Sequence, residues 1–171
     1  MTAAEFILGL VTLQRAGELV LSHFNTRRLL ARGAIEVAPR HYPLVAAVHA
    51  AWLISLWAFG YDRPLNVVAL LLYLALQFLR LWVMRTLGAR WTTGIIVLSG
   101  QKLVSAGPYR YLSHPNYAVV IGEIAVLPLV LGLPRLAVIF TLLNAAVLTI
   151  RIRAENRALA GLREITARAA P

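Results

Sequence analysis

Long apolar runs constrain the fold of this chain more than any other feature. A helix needs about 20 mostly apolar residues to cross a bilayer, because its backbone groups must pair within the segment. The chain is 60% hydrophobic and 14% charged, whereas soluble domains are about one quarter charged. The sequence therefore predicts an all-α polytopic membrane protein, with residues 1–171 in one domain. The five predicted transmembrane runs are 3–21, 43–59, 65–84, 117–133 and 134–150.

Basic residues lie mainly between and after these runs, with 17 Lys and Arg against 7 Asp and Glu. They concentrate in segments 27–40 and 85–110 and in the tail 151–168. Because positive loops stay in the cytoplasm, five crossings place the N-terminus outside and the C-terminus inside. We expect an integral protein of a bacterial inner membrane whose charges meet lipid headgroups. No basic face for nucleic acid is expected.

The first run carries Gln14, Arg15 and Glu18 on one helical face, because these residues are three or four positions apart. Ionisable groups inside a membrane are costly, and they either mark a functional site or pair with each other. Both interpretations stay open, and the pair Arg15 to Glu18 is geometrically easy. A metal site is not expected. The chain lacks cysteine, and His23, His41, His49 and His114 do not have the close helical spacing of metal ligands.

The segment 88–114 is too polar to span a membrane, and the alternation in 91–97 predicts a short hairpin or an extended connector. The segment ends in a motif that is rich in glycine, proline, histidine and tyrosine. Gly107-Pro108 predicts a rigid turn, and His114-Pro115 predicts a helix start at which His114 can act as the cap. The tyrosines around it offer stacking faces typical of a site for an adenine-bearing ligand. A plain connector can look similar.

Arg151 and Glu155 share a helical face at the inner end of the last run. Alone, this is typical of a surface ion pair. Together with Leu103-Val104, Gly107-Pro108-Tyr109 and His114-Pro115-Asn116-Tyr117, the pattern over about 88–160 resembles the isoprenylcysteine carboxyl methyltransferase family. The N-terminal Gln14-Arg15-x-x-Glu18 is similar to small bacterial members linked to type III polyketide synthases, which O-methylate alkylresorcinols or alkylpyrones.

The resemblance implies S-adenosyl-L-methionine as cofactor and a lipophilic small-molecule substrate that arrives from the bilayer. Arg151 and Glu155 are the implied catalytic pair. The implied substrate-binding residues are Arg151, Gln14, Glu18 and His41, and Glu18, His23, Glu36 or His41 can assist as a base. The implied cofactor-binding residues are Gln101, Lys102, Leu103, Val104, Tyr109, His114, Pro115, Asn116, Tyr117 and Glu155.

Two departures bear on the acceptor. Asn156 replaces the second glutamate of many prenylcysteine-methylating members, and the tail lacks their Phe-Gly-x-x-Tyr-x-x-Tyr segment. The departures favour a phenol or pyrone with an alkyl tail as the methyl acceptor. We expect the enzyme to act on it at the cytoplasmic membrane interface. A prenylcysteine carboxylate is the alternative acceptor. An NADPH-dependent membrane reductase and a non-enzymatic scaffold or transporter, with Gln14 to Glu18 as a polar path, are further alternatives.

The predicted topology can be tested by cysteine labelling, because the chain has no cysteine of its own. Thr2→Cys and Asp62→Cys should react with an impermeant maleimide on intact cells. Ala167→Cys should react only after permeabilisation. Labelling of residue 167 from outside would contradict five crossings.

Overall fold

A computed structural model describes residues 1–37, 42–98 and 104–168, with side chains up to residue 153. The helices are α1 (Ala3–Leu30), α2 (Tyr42–Gly60), α3 (Val67–Leu87), α4 (Pro115–Val130) and α5 (Pro134–Arg168). The segments Tyr42–Gly60, Val67–Arg90 and Pro134–Arg153 are long and apolar enough to cross a membrane. The expectation of a mostly helical membrane protein is therefore confirmed. The count of five crossings and the orientation of the termini stay predictions.

Helix α1 continues well beyond the apolar run that predicted it. Thr2 caps its start, and the helix ends just before Gly33, whose φ of 85° reverses the chain. Its last turns carry buried polar residues that bind the connector after α3. The amide Nδ2 of Asn25 donates to the carbonyl oxygen of Trp91 at 2.8 Å. The helix extends because these polar groups have partners in the protein and need no lipid-facing position.

The connector contains a strand, but no local hairpin is described. Strand β2 (Ile95–Val97) pairs antiparallel with β1 (Ile35–Val37), so that Glu36 lies opposite Ile96. The extended-connector prediction is confirmed, and among the described residues the partner of β2 is the strand that follows α1. Two three-residue strands are the one departure from helices and turns in the described ranges. This small sheet fixes the connector over one end of the helices.

The turn and helix start predicted around residues 107–115 are present. Gly107 begins a 3-10 turn with a φ of 58°, and Pro115 is the first residue of α4. His114 occupies the cap position, but its side chain makes no capping hydrogen bond. Instead, the imidazole stacks on the ring of Tyr117. The cap position was therefore predicted correctly and the capping bond was not.

The larger hydrophobic core lies at the end of the bundle where α1 begins. Ala4, Leu8 and Val11 of α1 are buried in a core with Trp52 of α2 and Leu127 of α4. In lipid such a core is held by close van der Waals packing, since exclusion of water contributes little between membrane helices. Further along α1, residues 15–19 line a cavity. The bundle is thus closed at the end nearest the start of α1 and hollow toward the connector.

Candidate functional site

A cavity of about 300 Å³ lies inside the bundle, beneath the connector. This volume is at the lower end of the range for small-molecule pockets, about 300–1,000 Å³. Each of the five helices contributes residues to its wall, and the connector contributes Trp91, Thr92 and Thr93. The lining combines apolar side chains with a few polar groups, as is typical of ligand sites. Its polar and aromatic lining residues are Arg15, Glu18, Tyr42, His49, Trp52, Arg80, Trp91, Thr92, Thr93, Asn116, Tyr117, Asn144 and Arg151.

Arg151 joins three parts of this wall. Its Nε donates to the phenolic oxygen of Tyr117 at 3.0 Å, and its Nη2 donates to the carbonyl oxygen of Thr93. The guanidinium carbon lies 5.7 Å from the centroid of the Tyr117 ring, close enough for a cation–π contact. Arg151 is 9% exposed and pairs with no carboxylate among the described side chains. A buried positive charge of this kind favours an anionic ligand group.

The aromatic ring of Tyr117 has a neighbour on α4 as well. His114 stacks on it with a centroid distance of 5.3 Å and an interplanar angle of 23°. The predicted stacking motif is therefore assembled at the start of α4, beside Arg151. Arg153, two residues further along α5, is exposed. The structure thus places Arg151, and not Arg153, at the cavity.

Hydroxyl groups fix the connector to α1 and α2. Thr93 contacts the hydroxyl of Ser22 through its own hydroxyl and through its backbone N–H, both at 2.8 Å. The Tyr42 hydroxyl lies 3.2 Å from Thr93 Oγ1. Because Thr93 also accepts from Arg151, the connector, α2 and α5 meet at one residue. The position of the Arg151 guanidinium is therefore determined by the connector and not by α5 alone.

A cluster of two arginines and two glutamates lies at the other side of the cavity. Arg15 contacts Glu18 at 3.0 Å and Glu123 at 2.8 Å, which confirms the predicted Arg15 to Glu18 pair. Arg80 donates to Glu18 through two of its N–H groups and to Glu123 through a third. Because the cluster is electrically neutral and hydrogen-bonded, it can persist inside a membrane.

Two glutamines complete this charge cluster. Gln14 Nε2 lies 2.9 Å from Glu18 and 2.8 Å from Gln77 Oε1, and Gln77 Nε2 donates to Glu123 at 2.8 Å. Gln77, Arg80 and Glu123 were not identified from the sequence. A polar signal was present, because each interrupts an apolar run, as Gln14 to Glu18 do.

Several buried polar atoms of cavity-lining residues have no hydrogen-bond partner among the residues that the structure describes. They are Trp52 Nε1, Trp91 Nε1, Asn116 Oδ1, Asn144 Nδ2 and Arg15 Nε. Buried polar atoms in proteins are nearly always paired with protein groups, water or ligand. Unpaired donors and an unpaired acceptor around one cavity therefore favour a ligand with polar atoms of its own.

The structure brings some of the predicted site residues together and leaves others apart. Glu18, Asn116, Tyr117 and Arg151 line the cavity. Pro115 is buried at the start of α4, Val104 is half-buried, and Tyr109 packs beside Trp91 and Val83. Gln14 contacts Glu18 and Gln77 and does not line the cavity, and His23 and Glu36 are exposed. The predictions on His41, Gln101, Lys102, Leu103 and the Glu155 side chain lie outside the described residues.

No cluster of three or more metal-ligating side chains occurs in the ranges that the structure describes. The polar groups that line the cavity are three arginines, Glu18, His49, two asparagine amides, hydroxyls and aromatic rings. Such groups bind organic ligands with anionic and aromatic parts. The geometry therefore favours an organic ligand.

The matched region identifies the class of protein. Residues 68–161, more than half of the chain, match the isoprenylcysteine carboxyl methyltransferase (ICMT) family. The chain belongs to this family of membrane methyltransferases. The match includes α3, α4, the connector and Arg151, which form much of the cavity wall. It gives no support to the narrower subgroup linked to polyketide synthases.

Two bacterial relatives extend the similarity over nearly the whole chain. "Uncharacterized protein YpbQ" of Bacillus subtilis is 37% identical over 160 residues, which cover 90% of this chain and 94% of the relative. An "Uncharacterized protein" of Haemophilus influenzae is 24% identical over 153 residues, covering 84% of this chain and 87% of the relative. No solved structure gives a significant match. The similarity thus includes α1 and α2, which lie outside the family match.

The charge cluster gives a testable prediction for stability. Arg80→Met leaves Glu18 and Glu123 with too few donors, and breaking a buried ion pair in this way costs about 3–5 kcal/mol. The apparent unfolding temperature in detergent should fall steeply. The exposed Arg85 on the same helix is the control, and Arg85→Met should change the stability by less than about 0.5 kcal/mol.

A second variant separates charge from shape. Adding Glu18→Gln to Arg80→Met removes one uncompensated carboxylate, so part of the lost stability should return. If Arg80→Met unfolds like the wild-type protein, the cluster has no structural role.

Proposed function

We propose that this protein is an S-adenosylmethionine-dependent O-methyltransferase that acts on a lipophilic acceptor at the cytoplasmic membrane interface. One observation carries the proposal. The buried, positively charged Arg151 lies against Tyr117 at a cavity among apolar helices, within the region matched by a methyltransferase family. Charged groups inside membrane bundles are costly and commonly mark a site for a substrate or ligand.

The described part of the cofactor region fits S-adenosylmethionine. Asn116 Oδ1 is a buried acceptor without a partner in the described part of the chain, and it suits the amine or ammonium donors of this cofactor. The stacked His114 and Tyr117 rings offer an aromatic surface to its adenine. The cofactor supplies an electrophilic methyl group on a sulfonium. The residues that we propose to hold it are Gln101, Lys102, Leu103, Val104, Tyr109, His114, Pro115, Asn116, Tyr117 and Glu155.

The acceptor can enter from the lipid. Leu19 of α1 and Ala46 and Ala50 of α2 line the cavity although they are exposed on the outside of the bundle. An opening between these helices admits an alkyl tail without passage through water. Once inside, the polar head lies between the charge cluster and Arg151. Arg151 is then placed to hold the acceptor oxygen in line with the methyl group and to stabilise its negative charge.

Two acceptor classes fit this arrangement. The family match supports a carboxylate of the prenylcysteine type more directly. Asn156, which stands in place of a second glutamate after Arg151, supports a phenol or pyrone with an alkyl tail. In both cases we propose Arg151 and Glu155 as the catalytic pair, and Glu18, Gln14 and His41 as residues that position the substrate.

Ligand binding to the purified protein tests the class of cofactor. Isothermal titration should show binding of S-adenosylhomocysteine and no binding of NADPH. Glu155→Gln should weaken the first by about tenfold or more, because a hydrogen bond to a charged group contributes about 1.5–3 kcal/mol. Glu164→Gln, in the same tail, is the control and should bind like the wild type.

The two readouts exclude different alternatives. Binding of NADPH alone would indicate a membrane reductase. Absence of binding by either compound to a folded protein would favour a scaffold or transporter and would overturn the proposed function.

A further inference from the structure

His49 is a cavity-lining residue of α2 to which the proposed reaction has so far given no role. Its Nδ1 lies 2.9 Å from the carbonyl oxygen of Val45. Because a carbonyl oxygen only accepts, Nδ1 must carry the hydrogen and donate it. In the neutral ring this leaves Nε2 without a hydrogen and with a free electron pair. The backbone of α2 thus fixes the tautomer in which Nε2 is the proton acceptor.

The carboxylates near the cavity are poorly suited to accept a proton from a bound ligand. Glu18 already accepts from Gln14, from Arg15 and from two N–H groups of Arg80. Glu123 accepts from Gln77, Arg15 and Arg80 and does not line the cavity. A carboxylate that is held by several charged donors is a weak base. Among the described lining residues, His49 is the side chain best suited to take a proton.

The surroundings of His49 are charged on several sides. Its own helix contributes Tyr42 to the cavity wall, and the other helices contribute charged groups. These groups are Arg15 and Glu18 of α1, Arg80 of α3, Glu123 of α4 behind the wall, and Arg151 of α5. The charge cluster has no net charge, so Arg151 is the described cation near the cavity that lacks a carboxylate partner. An acceptor oxygen at Arg151 is favoured once it has lost its proton.

We propose that His49 is the general base that removes the proton from a hydroxyl-bearing acceptor during methyl transfer. This inference rests on the proposed function. In the step, the acceptor O–H bond breaks and its proton moves to Nε2 of His49. The oxygen forms a bond to the methyl carbon, and the electron pair of the breaking sulfur–carbon bond stays on sulfur. The imidazolium later returns its proton to water. S-adenosylhomocysteine and the methyl ether are the products.

A carboxylate acceptor is already ionised at neutral pH and needs no base. The role of His49 can therefore be separated from general effects on binding by comparing two acceptors. One is an alkylresorcinol, which has hydroxyl groups to deprotonate, and the other is a farnesylated cysteine carboxylate. A base should matter for the first acceptor only.

The test uses His49→Gln in the full-length protein, with His23→Gln as the matched control. His23 is exposed on α1 and does not line the cavity, so the structure removes it from the candidate bases. Glutamine fills similar space but cannot accept a proton. We expect kcat for the alkylresorcinol to fall by about 10²–10⁴-fold, the range of general-base catalysis. KM, S-adenosylhomocysteine binding and any turnover of the carboxylate should stay close to the wild-type values, and His23→Gln should change none of them.

A second readout does not depend on turnover. A nitrophenol with an alkyl tail reports its own ionisation by its absorbance when it binds. It should ionise at lower pH in the wild-type protein than in His49→Gln. The kcat of the wild-type protein should fall at low pH, over the same pH range in which the bound nitrophenol loses its negative charge. Equal ionisation in both proteins, or unchanged kcat for the alkylresorcinol in His49→Gln, would overturn the role of His49.

The outcomes for the two proposals are distinguishable. A wild-type protein that binds S-adenosylhomocysteine but loses no activity in His49→Gln retains the proposed function and contradicts the role of His49. A folded wild-type protein that neither binds S-adenosylhomocysteine nor methylates either acceptor contradicts both.

Discussion

Arg80 is 4% exposed and makes hydrogen bonds to carboxylates from two other helices, Glu18 of α1 and Glu123 of α4. Inside a membrane bundle a lone arginine or a lone glutamate is costly, so each member of the cluster is stabilised by the others. The cluster therefore specifies which faces of α1, α3 and α4 are turned toward one another. An apolar replacement of the complete cluster could be equally stable, since buried ion pairs often contribute more to specificity than to stability. The charges favour one arrangement of the three helices, and this arrangement places a polar wall on one side of the cavity.

The opposite wall of the cavity, which contains Arg151, is held by hydrogen bonds to the connector and to α4. Arg151 is held by Tyr117 and by the backbone of Thr93, and Thr93 is held in turn by Ser22 and Tyr42. The polar residues late in α1 thus serve the site indirectly, by fixing the connector that orients Arg151. In the proposed function, the head of the acceptor lies between the two walls among charges and aromatic rings, and its tail stays in lipid beside Leu19. A membrane methyltransferase needs this combination because its two substrates come from different phases.

The sequence predicted the helices well, because long apolar runs are a strong signal, and it identified Arg151 and Tyr117 through family motifs. The pairing of β1 with β2 was missed, since short strands separated by two helices leave no local pattern. Arg80 and Glu123 were missed although each lies within an apolar run. Their significance is visible only when three helices are placed side by side. His49 was considered only as a metal ligand, and its contact with Val45 became clear from the helix geometry.

The most direct test of the proposed function is to measure methyl transfer itself. Membranes containing the protein would be incubated with S-adenosylmethionine that carries an isotope-labelled methyl group, together with alkylresorcinol, alkylpyrone and prenylcysteine acceptors. We expect labelled product from at least one acceptor, a loss of about 10²-fold or more in Arg151→Gln, and near-wild-type activity in Arg153→Gln, whose side chain is exposed. Equal activity of the two variants, or no labelled product from a folded protein, would contradict it.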